Sequence, residues 1–298
     1  MENRLDDETL ERIRRLWRWP LLRWRVKGVL GISRRMLVRI RWRLGDEVMA
    51  IPIYEALRTH HPDCRIAVEC SYPDLLLDNP FVDAINPAAW KADRYIMLRG
   101  APRDVYRIEH YAFRAKVSTP DTRPRLYYKN WDTPLLDPIQ KPFAAVSSGA
   151  SWPTKRWPVD YWRDLCIEIE KMGCAVVDLG RGDARIGVGT CLVDKTSVRD
   201  AACILHAARL FVCCDSGLMH LALAAGTPTL ALFGPTEPTI LIRDDPNFSA
   251  IKSEAPCQGC WNVSQDMQEP GVCPLERAKC LESIQTIQML DRVRGLLE

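Results

Sequence analysis

The chain has 298 residues, of which 47% are hydrophobic and 27% are charged, a composition typical of a globular protein with one large domain or two ordinary ones. No run approaches 18 apolar residues, which argues against a transmembrane helix. Residues 1–43 carry a net charge of +8 and the remainder −5, so charge gives no support to nucleic-acid binding by the body of the chain.

The N-terminal segment, residues 1–35, is a basic extension rich in Trp and Arg. It opens with acidic residues and lacks the basic region followed by an apolar region that forms a secretory signal, so we expect a cytoplasmic protein. Within 9–35, Arg alternates with Trp and Leu, and this pattern predicts an amphipathic helix at 10–24. Such a helix suits peripheral contact with the anionic inner face of the cytoplasmic membrane, and it suits equally an extension that packs its Trp side chains onto the body.

Two series of alternating strands and helices follow, which predicts an α/β fold with parallel sheets. The first series, residues 36–137, has predicted strands at 36–41, 64–70, 82–85 and 94–98, a helix that ends at His60 and another near 109–117. The second series lies in residues 138–298, whose start overlaps the Pro-rich linker 119–141. It has predicted strands at 143–147, 175–179, 210–214 and 229–233, with helices at 161–172, 197–208 and 218–225. Asp160 is the expected N-cap of the first of these helices, and Ser197 and Asp200 form an expected capping box at the start of the second. Two such halves place a ligand cleft between them, at the carboxyl ends of the strands.

The tripeptide Asp215-Ser216-Gly217 follows a predicted strand and starts a helix. Free backbone N–H groups and the helix dipole favour an anion at such a position, and glycine lets it approach closely. His220 lies one turn further along on the same face. The pattern predicts a phosphate site, and it also fits a helix that Asp215 or Ser216 merely caps.

Two further loops contribute polar residues to the predicted cleft. Small residues at 148–151 leave space for a ligand, and the adjacent cations, Lys155 among them, suit diphosphate oxygens, although a solvated basic turn has the same sequence. At the first strand-to-helix turn, Asp46 is placed either to accept a proton from a hydroxyl group or to cap the helix.

The twelve cysteines fall into two groups. Eight are scattered, several of them in apolar runs where buried thiols behave as small hydrophobic side chains. The other four lie in the loop 257–280, and their CxxC start and short spacings favour a tetrahedral site for Zn²⁺ or iron, with unliganded thiols and disulfides as alternatives. Four protein ligands leave no open position, so such a metal would be structural; the four are Cys257, Cys260, Cys273 and Cys280.

Three stretches together resemble a known family. They are Leu44-Gly45-Asp46 with its helix, the tetrapeptide 155–158, and above all the run 215–222 with its continuation through 226–228 to Thr236. From about Met36 to the C-terminus the chain resembles glycosyltransferase family 9, the heptosyltransferases of lipopolysaccharide assembly. Some similar enzymes, which modify autotransporter proteins, bind iron in a cysteine-rich loop at this position.

The resemblance implies a GT-B fold, in which two Rossmann-like domains with parallel sheets face an interdomain cleft. It also implies inverting transfer of a heptose-type sugar from an ADP-sugar to a hydroxyl of a glycan, glycolipid or protein, without a catalytic cofactor. Asp46 matches the family's catalytic carboxylate. The donor-binding positions are matched by Ser151, Lys155, Asp215, Ser216, Gly217 and His220.

Two regions depart from the family pattern. The half 36–137 is about one strand–helix unit short between Leu98 and His110, and because this half shapes the acceptor site, the acceptor stays open. The extension 1–35 lies outside the resemblance altogether.

Three other functions compete with this interpretation. A GT-B protein that uses another nucleotide sugar, or that lacks activity, would keep the same fold. A nicotinamide-dependent dehydrogenase is disfavoured because Arg185 stands where the third glycine of the run that begins at Gly180 belongs. A non-enzymatic nucleic-acid-binding protein would use the basic N-terminus and the cysteines, but the acidic body argues against it.

Overall fold

The structure is a computed structural model that describes residues 24, 27, 29–30, 33–118, 121, 123–182, 185–263, 272–273, 275 and 279–298. Apart from Trp24, the amphipathic helix predicted at 10–24 lies outside these residues. The described strands are β1 Arg34–Ile40, β2 Cys64–Cys70, β3 Ala84–Ile85, β4 Arg94–Met97, β5 Phe143–Ser147, β6 Ala175–Asp178, β7 Thr190–Cys191, β8 Leu210–Cys214, β9 Thr229–Phe233 and β10 Phe248–Lys252. The described helices are α1 Leu44–Met49, α2 Ile51–His60, α3 Arg107–Ala115, α4 Val159–Lys171, α5 Val198–Ala207, α6 Gly217–Ala224, α7 Cys260–Val263, α8 Lys279–Glu282 and α9 Thr286–Leu297.

The strands form two parallel sheets, as the alternating pattern predicts. The first has the order β3-β2-β1-β4, and the second has the order β10-β9-β8-β5-β6-β7. Every residue of the central strands β5, β8 and β9 is buried. Such continuous burial is typical of parallel strands covered on both faces. Each sheet therefore presents the carboxyl ends of its strands along one edge, which is where ligands bind in open α/β folds.

The helix expected after Asp46 is interrupted. The chain forms α1 and α2 with a break at Ala50, because Pro52 lacks a backbone N–H and is tolerated only in the first turn of a helix. Arg43 is the N-cap residue of α1, so Asp46 lies inside the first turn and does not cap it. The capping alternative for Asp46 is therefore wrong.

Other local predictions have mixed outcomes. The capping box of Ser197 and Asp200 is confirmed, since each side chain bonds the other's backbone. Asp160 is not the N-cap of α4, because Pro158 holds that position and Asp160 lies one residue inside the helix. The short edge strand β7 and the strand β10 were not predicted from the sequence, because two residues carry no period-2 signal and β10 is only half-buried.

Two described residues of the N-terminal extension, Trp24 and Lys27, contact the first half of the chain. Trp24 meets the ring of His61 edge to face at 5.4 Å between centroids, and the guanidinium of Arg34 lies 4.8 Å from the Trp24 ring centroid. Lys27 Nζ pairs with Asp93 Oδ2 at 2.8 Å. At these two residues the extension is attached to the body.

Candidate active site

A cleft of about 760 Å³ lies between the two sheets and is lined by residues of both halves. The site residues predicted from the sequence, the four cysteines apart, all line this cleft: Asp46, Ser151, Lys155, Asp215, Ser216, Gly217 and His220. They come from three loops distant in the chain. The parallel topology brings these loops together, because each follows the carboxyl end of a strand.

The starts of α1 and α6 pack closely against each other across the cleft, and two glycines make this approach possible. A Cβ atom on Gly45 would lie 2.7 Å from His220 Cδ2, closer than a real contact allows. A Cβ on Gly217 would lie 3.0 Å from the Cβ of Leu44. Glycine at both positions therefore lets a helix start from each half meet at the site.

Asp215 is buried at the carboxyl end of β8 and holds Lys155 in place. Lys155 Nζ lies 2.5 Å from Asp215 Oδ2, and Thr236 Oγ1 donates to the same oxygen at 2.7 Å. Burial pushes the pKa of Asp215 up, but the charge of Lys155 and the hydrogen bonds from Lys155 and Thr236 outweigh it, and the pKa is lowered. The carboxylate is thus ionised, and it fixes a lysine ammonium beside the start of α6.

Several buried polar atoms at the cleft lack a hydrogen-bond partner within the described part of the chain. They belong to five residues that line the cleft: Arg107 Nε, which lies beside the Asp46 carboxylate, and Ser147 Oγ, Trp152 Nε1, Ser216 Oγ and His220 Nδ1. A buried polar group without a partner costs about 1–3 kcal/mol, so native proteins rarely keep several at one place without use. These atoms are therefore available to hydrogen-bond a ligand in the cleft.

His220 is a neutral hydrogen-bonding group in this cleft. It is only 4% exposed, and burial above all lowers its pKa to about 4, although the carboxylate of Asp215 acts in the opposite direction. The ring is therefore uncharged at pH 7 and offers one N–H donor and one acceptor.

Asp46 faces the cleft from α1 and is held by two side chains of α3. Tyr111 Oη donates to Asp46 Oδ1 at 3.2 Å, and Arg107 Nε lies 3.3 Å from the same oxygen. Burial raises the pKa of Asp46, and the charge of Arg107 and the Tyr111 hydrogen bond reduce that increase. A partly desolvated carboxylate with a raised pKa is a better proton acceptor than an exposed one. Neither Arg107 nor Tyr111 was predicted as a site residue, because no motif marks them and only the fold brings α3 to Asp46.

Ser151 lies at the mouth of the cleft, where Arg43 Nη1 donates to its Oγ at 3.4 Å. The ammonium of Lys155 lies 4.2 Å from the ring centroid of the neighbouring Trp152. The loop that follows β5 thus supplies a hydroxyl, an aromatic face and a cation to one wall of the cleft.

Two residues of α7, Trp261 and Asn262, join the halves across the cleft mouth, and we call them the α7 clasp. The Trp261 ring meets Trp152 edge to face at 4.8 Å, and the Arg103 guanidinium lies 3.8 Å from its centroid. Asn262 Nδ2 donates to the Arg103 carbonyl at 2.5 Å, while Asn262 Oδ1 accepts from the backbone N–H of Glu237 at 2.7 Å. Neither residue of the clasp was predicted from the sequence, in which nothing marks them except their position directly after Cys260.

The four cysteines of the loop 257–280 lie near one another. Burial raises the pKa of Cys280 to about 11, and the other three thiols add to that increase. However, among the described residues no three His, Cys, Asp or Glu side chains are grouped closely enough to hold a metal ion. The structure therefore shows neighbouring thiols and does not show an assembled metal site.

The sequence matches the family model for glycosyltransferase family 9 (heptosyltransferase) over residues 114–269. Lipopolysaccharide heptosyltransferase 1 of Pseudomonas aeruginosa is 34% identical over 129 residues, which cover 40% of this chain and 36% of that protein. Lipooligosaccharide heptosyltransferase 2 of Campylobacter jejuni is 21% identical over 89% of this chain and 98% of its own length. The match to the first relative thus spans about a third of it, and the match to the second spans nearly all of it.

The fold is similar to those of solved glycosyltransferases. The dodecameric iron-containing heptosyltransferase TibC, from enterotoxigenic Escherichia coli, in complex with ADP-D-β-D-heptose superposes with a TM-score of 0.73. The two sequences are 17% identical, and the match covers 88% of this chain and 76% of that one. Together with the two parallel sheets that face one cleft, this likeness identifies the GT-B fold that the sequence predicted.

Proposed function

This chain belongs to glycosyltransferase family 9, and on that premise we propose that it transfers a heptose-type sugar from an ADP-sugar to an acceptor hydroxyl, with inversion at the anomeric carbon. One observation carries the proposal. Lys155, fixed by Asp215 beside the start of α6, and the carboxylate of Asp46 line the same cleft from opposite halves. The relatives named heptosyltransferase support the choice of sugar, and the structure of TibC with ADP-D-β-D-heptose supports the choice of nucleotide.

The donor diphosphate binds at the start of α6 in this mechanism. The free backbone N–H groups there and the Lys155 ammonium meet the negative charge that grows on ADP as it leaves. Ser216 Oγ and His220 Nδ1, which are buried without partners among the described residues, are placed to hydrogen-bond the donor. Asp215 acts through Lys155, because its carboxylate is already engaged by Lys155 and Thr236.

Asp46 acts on the acceptor as the general base. It takes the proton of the acceptor hydroxyl while that oxygen forms a bond to the anomeric carbon and the bond from the carbon to the diphosphate oxygen breaks. The electron pair leaves with ADP. Direct displacement from the opposite face inverts the anomeric centre, so no covalent intermediate on a protein carboxylate is required.

The two halves divide this work. We assign the acceptor to residues 36–137 and the nucleotide sugar to residues 138–298. The acceptor is a glycan or glycolipid, such as the lipopolysaccharide core, or a protein. We place the enzyme in the cytoplasm, with peripheral contact between residues 9–35 and the inner face of the cytoplasmic membrane, supported by the Arg and Trp content of this segment. In this arrangement Trp24 and Lys27 attach the segment to the body of the protein. No helix in the described part of the chain is long and apolar enough to cross a membrane.

We further propose that the four cysteines of the loop 257–280 hold a structural Zn²⁺ or iron ion. Four thiols are the donor set that such thiophilic ions take in tetrahedral sites, and the similar fold of the iron-containing TibC supports iron. Metal analysis of the purified protein tests this: we expect about one ion per chain, lost in Cys260→Ser. An equal metal content in Cys260→Ser and wild type would contradict the assignment, and Cys174→Ser, outside the loop, is the matched control.

A donor-selection assay tests the proposed reaction. The protein is incubated with ADP-heptose, and in parallel with UDP- and GDP-sugars, together with glycan, glycolipid and protein acceptors, and release of the nucleoside diphosphate is measured. We expect release of a nucleoside diphosphate only when ADP-heptose is the donor, and the product is then ADP. Turnover only with UDP- or GDP-sugars would show that the fold serves another nucleotide sugar, and no turnover with any donor would favour an inactive GT-B protein.

A further inference from the structure

Helix α3 directs two side chains to one oxygen of Asp46. Arg107 and Tyr111 are four residues apart and therefore lie on the same face of the helix. Tyr111 Oη donates to Oδ1 at 3.2 Å, and Arg107 Nε lies 3.3 Å from Oδ1 without hydrogen-bond geometry. Tyr111 therefore supplies a directed hydrogen bond, whereas Arg107 supplies a charge.

The other carboxylate oxygen of Asp46 is left for the ligand. Within the described part of the chain no hydrogen bond reaches Oδ2, although Asp46 lines the cleft. A carboxylate that is held by one oxygen cannot rotate freely, so its second oxygen keeps a fixed direction. Oδ1 is therefore held by protein side chains, and Oδ2 remains available to the ligand.

Both partners are themselves fixed. Tyr111 is 1% exposed and packs in the hydrophobic core, so its hydroxyl has little freedom to move. Arg107 is the first residue of α3, and its Nη1 donates to the Ala101 carbonyl at 3.3 Å, which ties the guanidinium to the loop before the helix. Both groups therefore reach Asp46 from a rigid support.

We propose that Arg107 and Tyr111 are positioning residues that hold Asp46 Oδ1, so that Asp46 stays ionised and presents Oδ2 to the acceptor hydroxyl. This inference rests on the proposed role of Asp46 as the general base. The physical need is clear, since burial alone favours the protonated carboxyl, which accepts no proton. A cation and a hydroxyl donor at one oxygen favour the ionised form and fix its direction together.

The direct test is the titration of the Asp46 carboxyl, followed by carbon NMR in protein labelled at the Asp carboxyl carbon and assigned with Asp46→Asn. An adjacent opposite charge lowers a carboxyl pKa by about 1–3 units, so in Arg107→Gln we expect the Asp46 titration about one unit or more above that of wild type. Tyr111→Phe keeps the ring in the core and is expected to shift the titration in the same direction by less. Arg107→Lys is expected to recover most of the wild-type value.

Turnover of ADP-heptose gives the second readout. In Arg107→Gln and Tyr111→Phe, the acidic limb of the profile of kcat/KM against pH is expected to shift to higher pH, by an amount that follows the shift in the NMR titration. Arg114→Gln, an exposed position on the same helix, is the matched control and is expected to leave both measurements unchanged.

The outcomes separate this inference from the function on which it rests. An Asp46 titration that stays at the wild-type pH in both Arg107→Gln and Tyr111→Phe would overturn the positioning role, even if activity fell. Wild-type turnover by Asp46→Asn would overturn the proposed function instead. If Arg107→Gln fails to fold, the comparison of Tyr111→Phe with wild type decides the question.

Discussion

Lys155 is the residue on which donor binding depends in this account. Its ammonium is fixed by the Asp215 carboxylate beside the start of α6, where the proposed mechanism puts the leaving ADP. Removing one preorganised group of this kind typically costs about 10²–10³-fold in kcat.

We therefore expect Lys155→Met to lose about 10²–10³-fold in kcat and to bind ADP more weakly, as measured by initial rates and by calorimetric titration with ADP. Lys171→Met, on the surface and paired only with Glu168 among the described residues, is the control. Unchanged ADP affinity in Lys155→Met would exclude its contact with the diphosphate.

Gly45 is fixed by packing, and its replacement tests the close approach of the two helix starts. The Cβ of Gly45→Ala would lie 2.7 Å from the His220 ring, so the ring or α1 must shift. Overpacking of this kind costs about 1–3 kcal/mol, and we expect that loss in the free energy of unfolding measured with denaturant.

Gly295→Ala is the matched control for Gly45→Ala and is expected to change the free energy of unfolding in the opposite direction. Gly295 lies in the last turn of α9, where only part of the helix-interior penalty of glycine applies, and a Cβ there would meet nothing within 4 Å. Because glycine destabilises a helix interior by about 0.5–1 kcal/mol relative to alanine, we expect this variant to be more stable than wild type. A stability for Gly45→Ala equal to or above wild type would show that the contact with His220 is loose.

The sequence predicted the residues of this site unevenly, for a physical reason. Lys155, Asp215 and His220 lie in local patterns, a loop after a strand and a helix start, that are visible in the chain itself. Arg107, Tyr111, Trp261 and Asn262 reach the site from elements remote in sequence, and their role depends on packing between elements, which periodicity does not contain.

At the scale of elements, the short helix α7 contacts three loops around the site, which contain Arg103, Trp152 and Glu237. Asn262 bonds the backbone of Glu237 in one half and of Arg103 in the other, while Trp261 lies between Arg103 and Trp152. The segment that α7 braces also carries Thr236, which donates to Asp215. The α7 clasp therefore connects the contact between the two halves to the donor side of the cleft.

We expect Asn262→Ala to raise the KM for the ADP-sugar about 10-fold, because it removes two hydrogen bonds that contribute roughly 0.5–1.5 kcal/mol each. Steady-state kinetics with varied donor concentration measures this. Asn247→Ala removes a side-chain amide that, among the described residues, bonds only the Gly226 carbonyl, outside the cleft, and this variant is expected to keep the wild-type KM. Equal KM values for the two variants would contradict the role of the clasp.

The elements themselves were predicted best where the pattern is long and strongly apolar. The fully buried strands β5, β8 and β9 and the capping box at Ser197 were predicted within a residue or two. The break at Ala50 was not predicted, although the sequence contains Pro52. Proline is tolerated in the first turn of a helix, and its presence alone does not show that a separate helix begins at Ile51.

At the scale of the whole molecule, function depends on how the two sheets face each other. One hydrophobic cluster contains residues from both halves, and the backbone N–H of Leu126, just after the Pro-rich linker begins, donates to the Ala224 carbonyl at 3.0 Å. The alternation of strands and helices predicted two parallel sheets and a cleft. It did not predict which side chains meet across that cleft, because those contacts are set by the relative orientation of the halves.

The most direct test of the account compares ADP release from ADP-heptose by the wild type and by Asp46→Asn, across the panel of acceptors. Loss of a general base typically costs about 10²–10⁴-fold, so we expect that loss of turnover in Asp46→Asn while its affinity for ADP stays at the wild-type value. Equal turnover by the two proteins would contradict a mechanism in which Asp46 removes the acceptor proton opposite a donor held by Lys155 and the start of α6.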